Sequence, residues 1–380
     1  MTRKQQAAGE PARAFEIHAP LLRAALKDVA DVVEKRSTIP VLSNVLMVVT
    51  PSALVLTATD LDAWGERDVA LDGTADAMVL TVEAAVLTRI ADKLPADARV
   101  RLSYAEGKLT VSAGRSRFSL PTLPVDDFPA LPSREWDAQF EIPAIMLAGA
   151  LDTVRFAVST EETRYYLNGV FVHAPEGGDL RFAATDGHRL ARGTMALPDG
   201  AETLPDIIIP SKVVKVLLAL LGRHEGKVDV RVSAGSIRVE IGETVVQAKL
   251  IDGTFPDYTR VVPSQHDGVL KVDREQLLAA VARVTTVSSD KARAVKCDVT
   301  ADMIVLTVTS PENGVATEEL PCDYAGGPIT IGFNARYLSD VLGHLTADTV
   351  EAGLTDAAGP ALWRDREDAG AVFVLMPLRV

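Results

Sequence analysis

Cysteine is nearly absent from this sequence: 380 residues contain two, Cys297 and Cys322. Nothing in that pair suggests a disulfide framework, and a reducing compartment suits the chain. Histidine is scarce too. The six present (His18, His173, His188, His224, His266 and His344) are scattered, with no HExxH pair or Cys/His cluster, so a zinc site has no support. There is no GxxxxGK[ST] stretch to cradle a nucleotide, no GxGxxG after a strand and no GxSxG elbow. Positive charge is also short: 39 Lys and Arg against 52 Asp and Glu give a net charge of −13. This argues against a generally basic nucleic-acid binder, although net charge says nothing of how charge is distributed. No segment approaches the ~18 consecutive apolar residues a membrane-spanning helix needs. The start, MTRKQQAAGEPAR, lacks the apolar core of a signal peptide. The expectation is a cytoplasmic protein without cofactors, with residues 1–12 as a flexible extension.

What the chain does have is apolar content, 47%, and a repeat. FEIHAPLLRAALKDVADVV from Phe15 returns as FEIPAIMLAGALDTVRFAV from Phe140 and as LKVDREQLLAAVARVTTVS from Leu270. Each reads as a short alternating strand, a Pro or Asp at a helix start, and apolar residues at helical spacing. LVLTATDLDAWGER answers LRFAATDGHRLARG, with Asp60 and Asp186 126 residues apart, and MIVLTVTSPENGVATEEL is a divergent third copy. A second helix follows in VEAAVLTRIADKL, PSKVVKVLLALLG and NARYLSDVLGHL, then alternating strands with Gly-containing turns. The pattern predicts three α+β domains in the order β-α-β-β-β-α-β-β-β, at 13–136, 137–263 and 264–380. Pro-containing linkers are expected near 129–137 and 256–268.

One stretch invites a catalytic reading. RFAATDGHRLARG places Asp186, His188 and Arg189 together, and a hydrolase using Asp186 and His188 is one alternative. Their spacing matches no common triad, and the repeat-one copy, TDLDA, has no histidine. A Thr-Asp leaving a strand hydrogen-bonds its own turn. The adjacent carboxylates Asp126-Asp127 and Glu161-Glu162 read as solvated surface. An interaction protein fits these residues better than an enzyme.

RYYLNGVFVHAPEGGDLRFAATDGHRLA, LIDGTFPDYTRVVP and the terminal VLMPLRV closely resemble the bacterial sliding clamp, the beta subunit of DNA polymerase III. RSTIPVLSNVLM, LTATDLD, GRSRFSLPTLPVDDFP and IIIPSK match as well, so the similarity runs from about residue 13 to Val380. The resemblance implies three similar clamp domains, each with two helices packed on antiparallel sheets. It also implies a head-to-tail homodimer forming a six-domain ring. That ring encircles duplex DNA without sequence specificity, tethers the replicative polymerase and is opened by a separate clamp loader. A clamp-fold interaction protein that does not encircle DNA is the second alternative.

An acidic chain can encircle DNA if only its inner wall is basic, and modest phosphate contact suits sliding. PSKVVKVLLALLGR offers Lys212, Lys215 and Arg223 without an acid; Arg89 and Lys93 oppose Asp92; Arg23, Lys27, Lys35 and Arg36 oppose Asp28, Asp31 and Glu34. Taken singly, these cations read equally well as solvated helix faces. By resemblance, Arg36, Arg164, Tyr165, Tyr166 and Lys212 face DNA, with core as the other reading of Tyr166. For the dimer seam it implies the RSRFSL strand, with Phe118 and Leu120 against Thr286 and Val287. Arg115 and Arg117 would be flanking cations, with Glu312, Glu318 and Glu319 opposite them. Thr286 stands where the family has a larger apolar residue.

For partner peptides the resemblance implies a groove in three parts. Leu167, Thr185, Gly187, His188, Arg189 and Leu190 form the first. Pro256, Arg260 and Val261 form the second. The third is the end of the chain: Val374, Leu375, Met376, Pro377, Leu378, Arg379 and Val380. Pro360 departs from the family's small polar residues nearby.

Overall fold

The structure, a computed structural model, describes residues 12–33, 38–288, 294–365 and 370–380. Six helices alternate with strands: α1 (Ala19–Ala30), α2 (Ala84–Lys93), α3 (Ala144–Arg155), α4 (Ser211–Leu221), α5 (Arg274–Val284) and α6 (Ala335–His344). The three repeats are present, with one more strand between their helices than the pattern predicts. Met78–Glu83, Ile207–Pro210 and Ile329–Asn334 run straight into α2, α4 and α6. No turn residues separate strand from helix there, so the periodicity change hides the boundary. The third repeat adds a short strand, Asp323–Ala325.

The described chain divides into two compact units rather than three. One comprises Met1–Ile145, Asp199–Thr203 and Lys215–Leu250; the other comprises Met146–Pro198, Leu204–Val214 and Ile251–Val380. Strand pairing accounts for this, because sheets cross the repeat boundaries. In the first unit, Ala63–Ala70 of repeat one pairs antiparallel with Thr244–Lys249 of repeat two, Trp64 opposite Gln247, within an eight-stranded sheet. In the second, Arg189–Met195 of repeat two pairs with Ala371–Leu375 of repeat three, Leu190 opposite Val374, within a nine-stranded sheet.

The first unit also has a four-stranded sheet whose edge strand is Ser116–Pro121. Helix α1 buries Ala19, Leu22, Ala25, Leu26 and Val29, one stripe at helical spacing, and packs on α2. Arg23 donates to the carbonyls of Ala91 and Leu94, both at 2.9 Å. It therefore satisfies the open end of α2. Lys27 pairs with Asp92 at 3.5 Å and Arg223 with Asp28 at 3.1 Å, so three of the expected wall cations have acidic or carbonyl partners within the unit.

In the second unit, Asp273 caps α5 through the Gln276 N–H (2.8 Å) and Asn334 caps α6 through the Arg336 N–H (3.0 Å). Its smaller sheet has Gly314–Pro321 at one edge. The opposite edge strand, Ile329–Asn334, receives the chain's last residues: the Leu378 N–H donates to the Gly332 carbonyl at 2.8 Å. Gly332 is needed there, since a Cβ would collide with Val380.

Candidate functional site

Strands Leu180–Thr185 and Arg189–Met195 meet in the TDGHR turn, and every polar atom of the Thr-Asp pair serves that turn. Thr185 Oγ1 accepts from the Gly187 N–H (3.1 Å) and donates to the Arg189 carbonyl (2.6 Å). Asp186 Oδ1 accepts from the N–H groups of His188 (2.9 Å) and Arg189 (3.0 Å), and Oδ2 accepts from Arg189 Nε (3.0 Å). Among the described residues no hydrogen bond joins this carboxylate to the exposed His188 ring, which lies by Tyr337. The hydrolase alternative fails on this geometry.

Below the turn a cluster of buried side chains fills one face of the nine-stranded sheet: Leu167, Phe171, Leu190, Phe255, Tyr258 and Val374 among them. Phe171 and Phe255 stack with centroids 4.7 Å apart and planes 4° from parallel. Phe255 directly precedes the stretch expected as a linker, and Tyr258 lies within it. They are core instead, 7% and 4% exposed, each contributing about 1.5–3 kcal/mol by burial.

Over this cluster opens a depression of about 270 Å³. Of the residues expected in a groove, Leu167, Thr185, Gly187, Arg189 and Leu190 line it, with Pro256, Val261, Val374 and Met376. Four more lining residues were not expected there. Arg164 and Tyr166, expected to face DNA, form part of the wall, as do Asp257 and Tyr258. The signal for the last two was an aromatic in FPDY, a stretch otherwise reading as linker. Tyr165, beside Tyr166, is exposed.

The remaining groove candidates lie elsewhere. Leu375 is buried, 1% exposed. Arg260 is 84% exposed and pairs with Asp257 at 3.3 Å. His188 contributes backbone, its carbonyl accepting from the Met376 N–H at 2.9 Å. Pro377, Leu378, Arg379 and Val380 do not line the depression, and neither does Pro360; Leu378 and Val380 sit along Gly332.

Electrostatics at the rim is local. Arg164 pairs with Glu161 at 2.8 Å. The Thr259 hydroxyl, hydrogen-bonded to Asp257, holds that carboxyl below its usual range, helped by the Thr259 N–H and Arg260. Arg189 lines the depression with its stem, while its guanidinium points into a buried network. It reaches Asp186, Asp340 (2.6 Å) and the Phe156 carbonyl, and lies 4.3 Å from the Tyr337 ring centroid.

Arg36 and Lys35 lie outside the described residues, as do residues 1–11. Lys212 and Lys215 stand on α4, Lys215 exposed and Lys212 half-buried. On the edge strand Ser116–Pro121, Phe118 and Leu120 are half-buried and Arg117 exposed, as is Arg115 in the turn before it. In the second unit Thr286 is exposed, Val287 half-buried, and Glu319 exposed on the edge strand. Glu318, expected to meet a partner's arginine, is bound by Arg283 Nε at 3.0 Å, and this pairing holds its carboxyl below the usual range. Among the described residues no group of three or more His, Cys, Asp or Glu is placed to hold a metal, and no helix is long and apolar enough to cross a membrane.

Repeated α+β segments sharing long antiparallel sheets, with an apolar depression beside a turn braced by its own aspartate, define a scaffold with a groove. Comparison with known proteins makes this specific. The N-terminal, central and C-terminal domain families of the DNA polymerase III beta subunit match residues 14–132, 141–257 and 259–379. The beta sliding clamp of Caulobacter vibrioides is 44% identical over 370 residues, covering 95% of this chain and 98% of that protein. The one from Pseudomonas aeruginosa is 38% identical over 366 residues, 96% and 100% of the two chains. A crystal structure of a Bartonella birtlesii sliding clamp bound to griselimycin superposes with a TM-score of 0.95 at 40% identity, covering 97% of this chain and all of that one. The chain belongs to the DNA polymerase III beta subunit family. Its function is that of a DNA sliding clamp, a non-catalytic processivity factor.

Proposed function

We propose that two copies of this chain join head to tail into a six-domain ring that surrounds duplex DNA in the cytoplasm. The ring holds the replicative polymerase, the clamp loader and other motif-bearing partners through the depression beside the TDGHR turn. The observation that carries this reading is the depression: an apolar floor of Leu167, Leu190 and Val374, walled by Tyr258 and Val261, sized for one or two apolar side chains. Domain limits of 13–136, 137–263 and 264–380 follow the repeat, and the family matches fall within them or nearly so. Lys212, Lys215 and Tyr165 are the DNA-facing candidates. Arg36 is carried by resemblance alone.

Two four-stranded sheets supply unpaired edges, Ser116–Pro121 in one unit and Gly314–Pro321 in the other. Pairing these between copies would bury Phe118 and Leu120 against Thr286 and Val287. Such an interface is heterologous and closes after two subunits. Phe118→Glu with Leu120→Glu yields monomers by light scattering; an unchanged dimer rejects this seam.

Retention on DNA tests the function. Protein loaded by its cognate loader and ATP stays on circular DNA through gel filtration and runs off the same DNA once linearised. Equal loss from both forms rejects encirclement.

A further inference from the structure

Beyond the depression, on the same sheet face, lies a row of cations that the clamp function does not use. Antiparallel register sets His173 opposite Arg181 and Arg181 opposite Thr194, with Arg192 two residues before Thr194 on the same face. Tyr258 is shared between the two places. Its ring lines the depression, its hydroxyl lies 2.8 Å from His173 Nε2, and Arg181 and Arg192 act on that hydroxyl electrostatically.

This row is short of acceptors. The Nε atoms of Arg181 and Arg192 and the Oγ1 of Thr194 are buried without a hydrogen-bond partner among the described residues. Burial, with Arg181 nearby, lowers the Arg192 pKa despite the Tyr258 contribution in the other direction. Asp206 is the acid that acts on His173. The phenol of Tyr258 is the group on which both guanidiniums act. The matched register positions of repeat one hold Val48, Val55, Glu66 and Asp68, so the cations are an addition to the second repeat and not part of its scaffold.

We propose that Arg181, Arg192 and Thr194 form a carboxylate site for an acidic residue flanking the apolar motif of a partner segment held in the depression. The fork of an arginine suits a carboxylate, and burial strengthens the pairing. From the depression floor at Leu190 to Thr194 is four residues of strand, about 13 Å, which an extended segment covers in about four residues. The proposal rests on the depression being the partner groove, and its test keeps the two apart.

Fluorescence polarisation would compare a hexapeptide of the QLxLF type, the apolar motif that the family resemblance implies for partners, with versions carrying Glu at one to four residues beyond either end, and Gln controls. One Glu register is expected to bind about tenfold more tightly at low salt, the gain shrinking as salt rises. Arg192→Met should remove the gain and leave the plain peptide's affinity unchanged; Thr194→Val, which keeps the charge, should reduce the gain in part. The proposal fails if no register gains, if Gln gains equally, or if the gain survives Arg192→Met. If inorganic phosphate raises the melting temperature of the parent protein but not of Arg192→Met, while Glu gives no gain, the row takes a free oxyanion and the partner-carboxylate reading is overturned. If the plain hexapeptide does not bind, the groove reading falls and this proposal with it.

Discussion

The turn at Thr59–Ala63 in the first unit and the turn at Thr185–Arg189 in the second are built alike. In the first, the Leu61 N–H donates to Thr59 Oγ1 at 3.0 Å, and Asp60 Oδ1 accepts from Asp62 (3.0 Å) and Ala63 (2.7 Å). The second repeats each bond, and the third residue has positive φ in both, 79° at Leu61 and 87° at Gly187. They differ in what is added. Where repeat one has Ala63, repeat two has Arg189, whose guanidinium ties Asp186 to Asp340. Where repeat one accepts Leu61, repeat two has a glycine whose added Cβ would lie 2.6 Å from Arg164. The Thr-Asp turn is scaffold, and substitutions on it help to shape the depression.

Removing the addition should break the likeness most. Arg189→Ala leaves the carboxylates of Asp186 and Asp340 without their cation and opens space beside Phe156 and Tyr337. Asp186 keeps its two backbone N–H donors and Asp340 is about a third exposed, so a loss of about 1–3 kcal/mol is expected, read as a lower denaturant midpoint for the second unit. A change under about 0.5 kcal/mol, as for a surface position, would mean that the two turns are equivalent after all.

Exchanging the third residue is a smaller intervention. Gly187→Leu installs the residue that repeat one carries at the same φ, so the backbone should cost only about 1–2 kcal/mol. The side chain, however, must displace Arg164 and enter the depression. Peptide affinity should fall about tenfold or more, equivalent to roughly 1.4 kcal/mol, while the matched Leu61→Gly leaves it untouched. Unchanged binding by Gly187→Leu would separate the depression from the peptide site.

Much of this was legible from residues alone. The 126-residue recurrence of TD and the alternating strands were enough for three α+β repeats, and TD without His in repeat one pointed to scaffold. The limits have physical causes. Sheet continuity between repeats depends on edge pairing of Ala63–Ala70 with Thr244–Lys249, which leaves no local pattern. Phe128 and Phe255 occupy matching motifs, yet only Phe255 meets a stacking partner, Phe171, so FPDY as core could not be told from FPAL as linker. That Arg164 and Tyr166 also line the depression is not legible, because direction across a short helical turn is invisible in sequence. Arg23 looked like a free cation because its acceptors, the ends of α2, are about 70 residues away.

The finest difference between the repeats should show in pH dependence. His173 stands where repeat one has Val48, and its imidazole is held below the ordinary 6.5, by burial first, with Asp206 opposing and Arg181 adding to the depression. A depressed histidine binds fewer protons folded than unfolded, so the stability it allows is complete above about pH 6.5 and is lost as pH falls through that value toward the lower folded pKa. Tyr258 sharpens this. Its hydroxyl is the hydrogen-bond partner of Nε2, at 2.8 Å. Protonation would place a third cation beside Arg181 and Arg192, loosening the wall that Tyr258 supplies to the depression. Denaturant midpoints measured from pH 8 to pH 5.5 should fall for the parent chain and fall less for His173→Val, the residue of repeat one, with hexapeptide affinity following the same trend. Parallel pH profiles for the two chains would place the acid sensitivity elsewhere and leave His173 as packing alone.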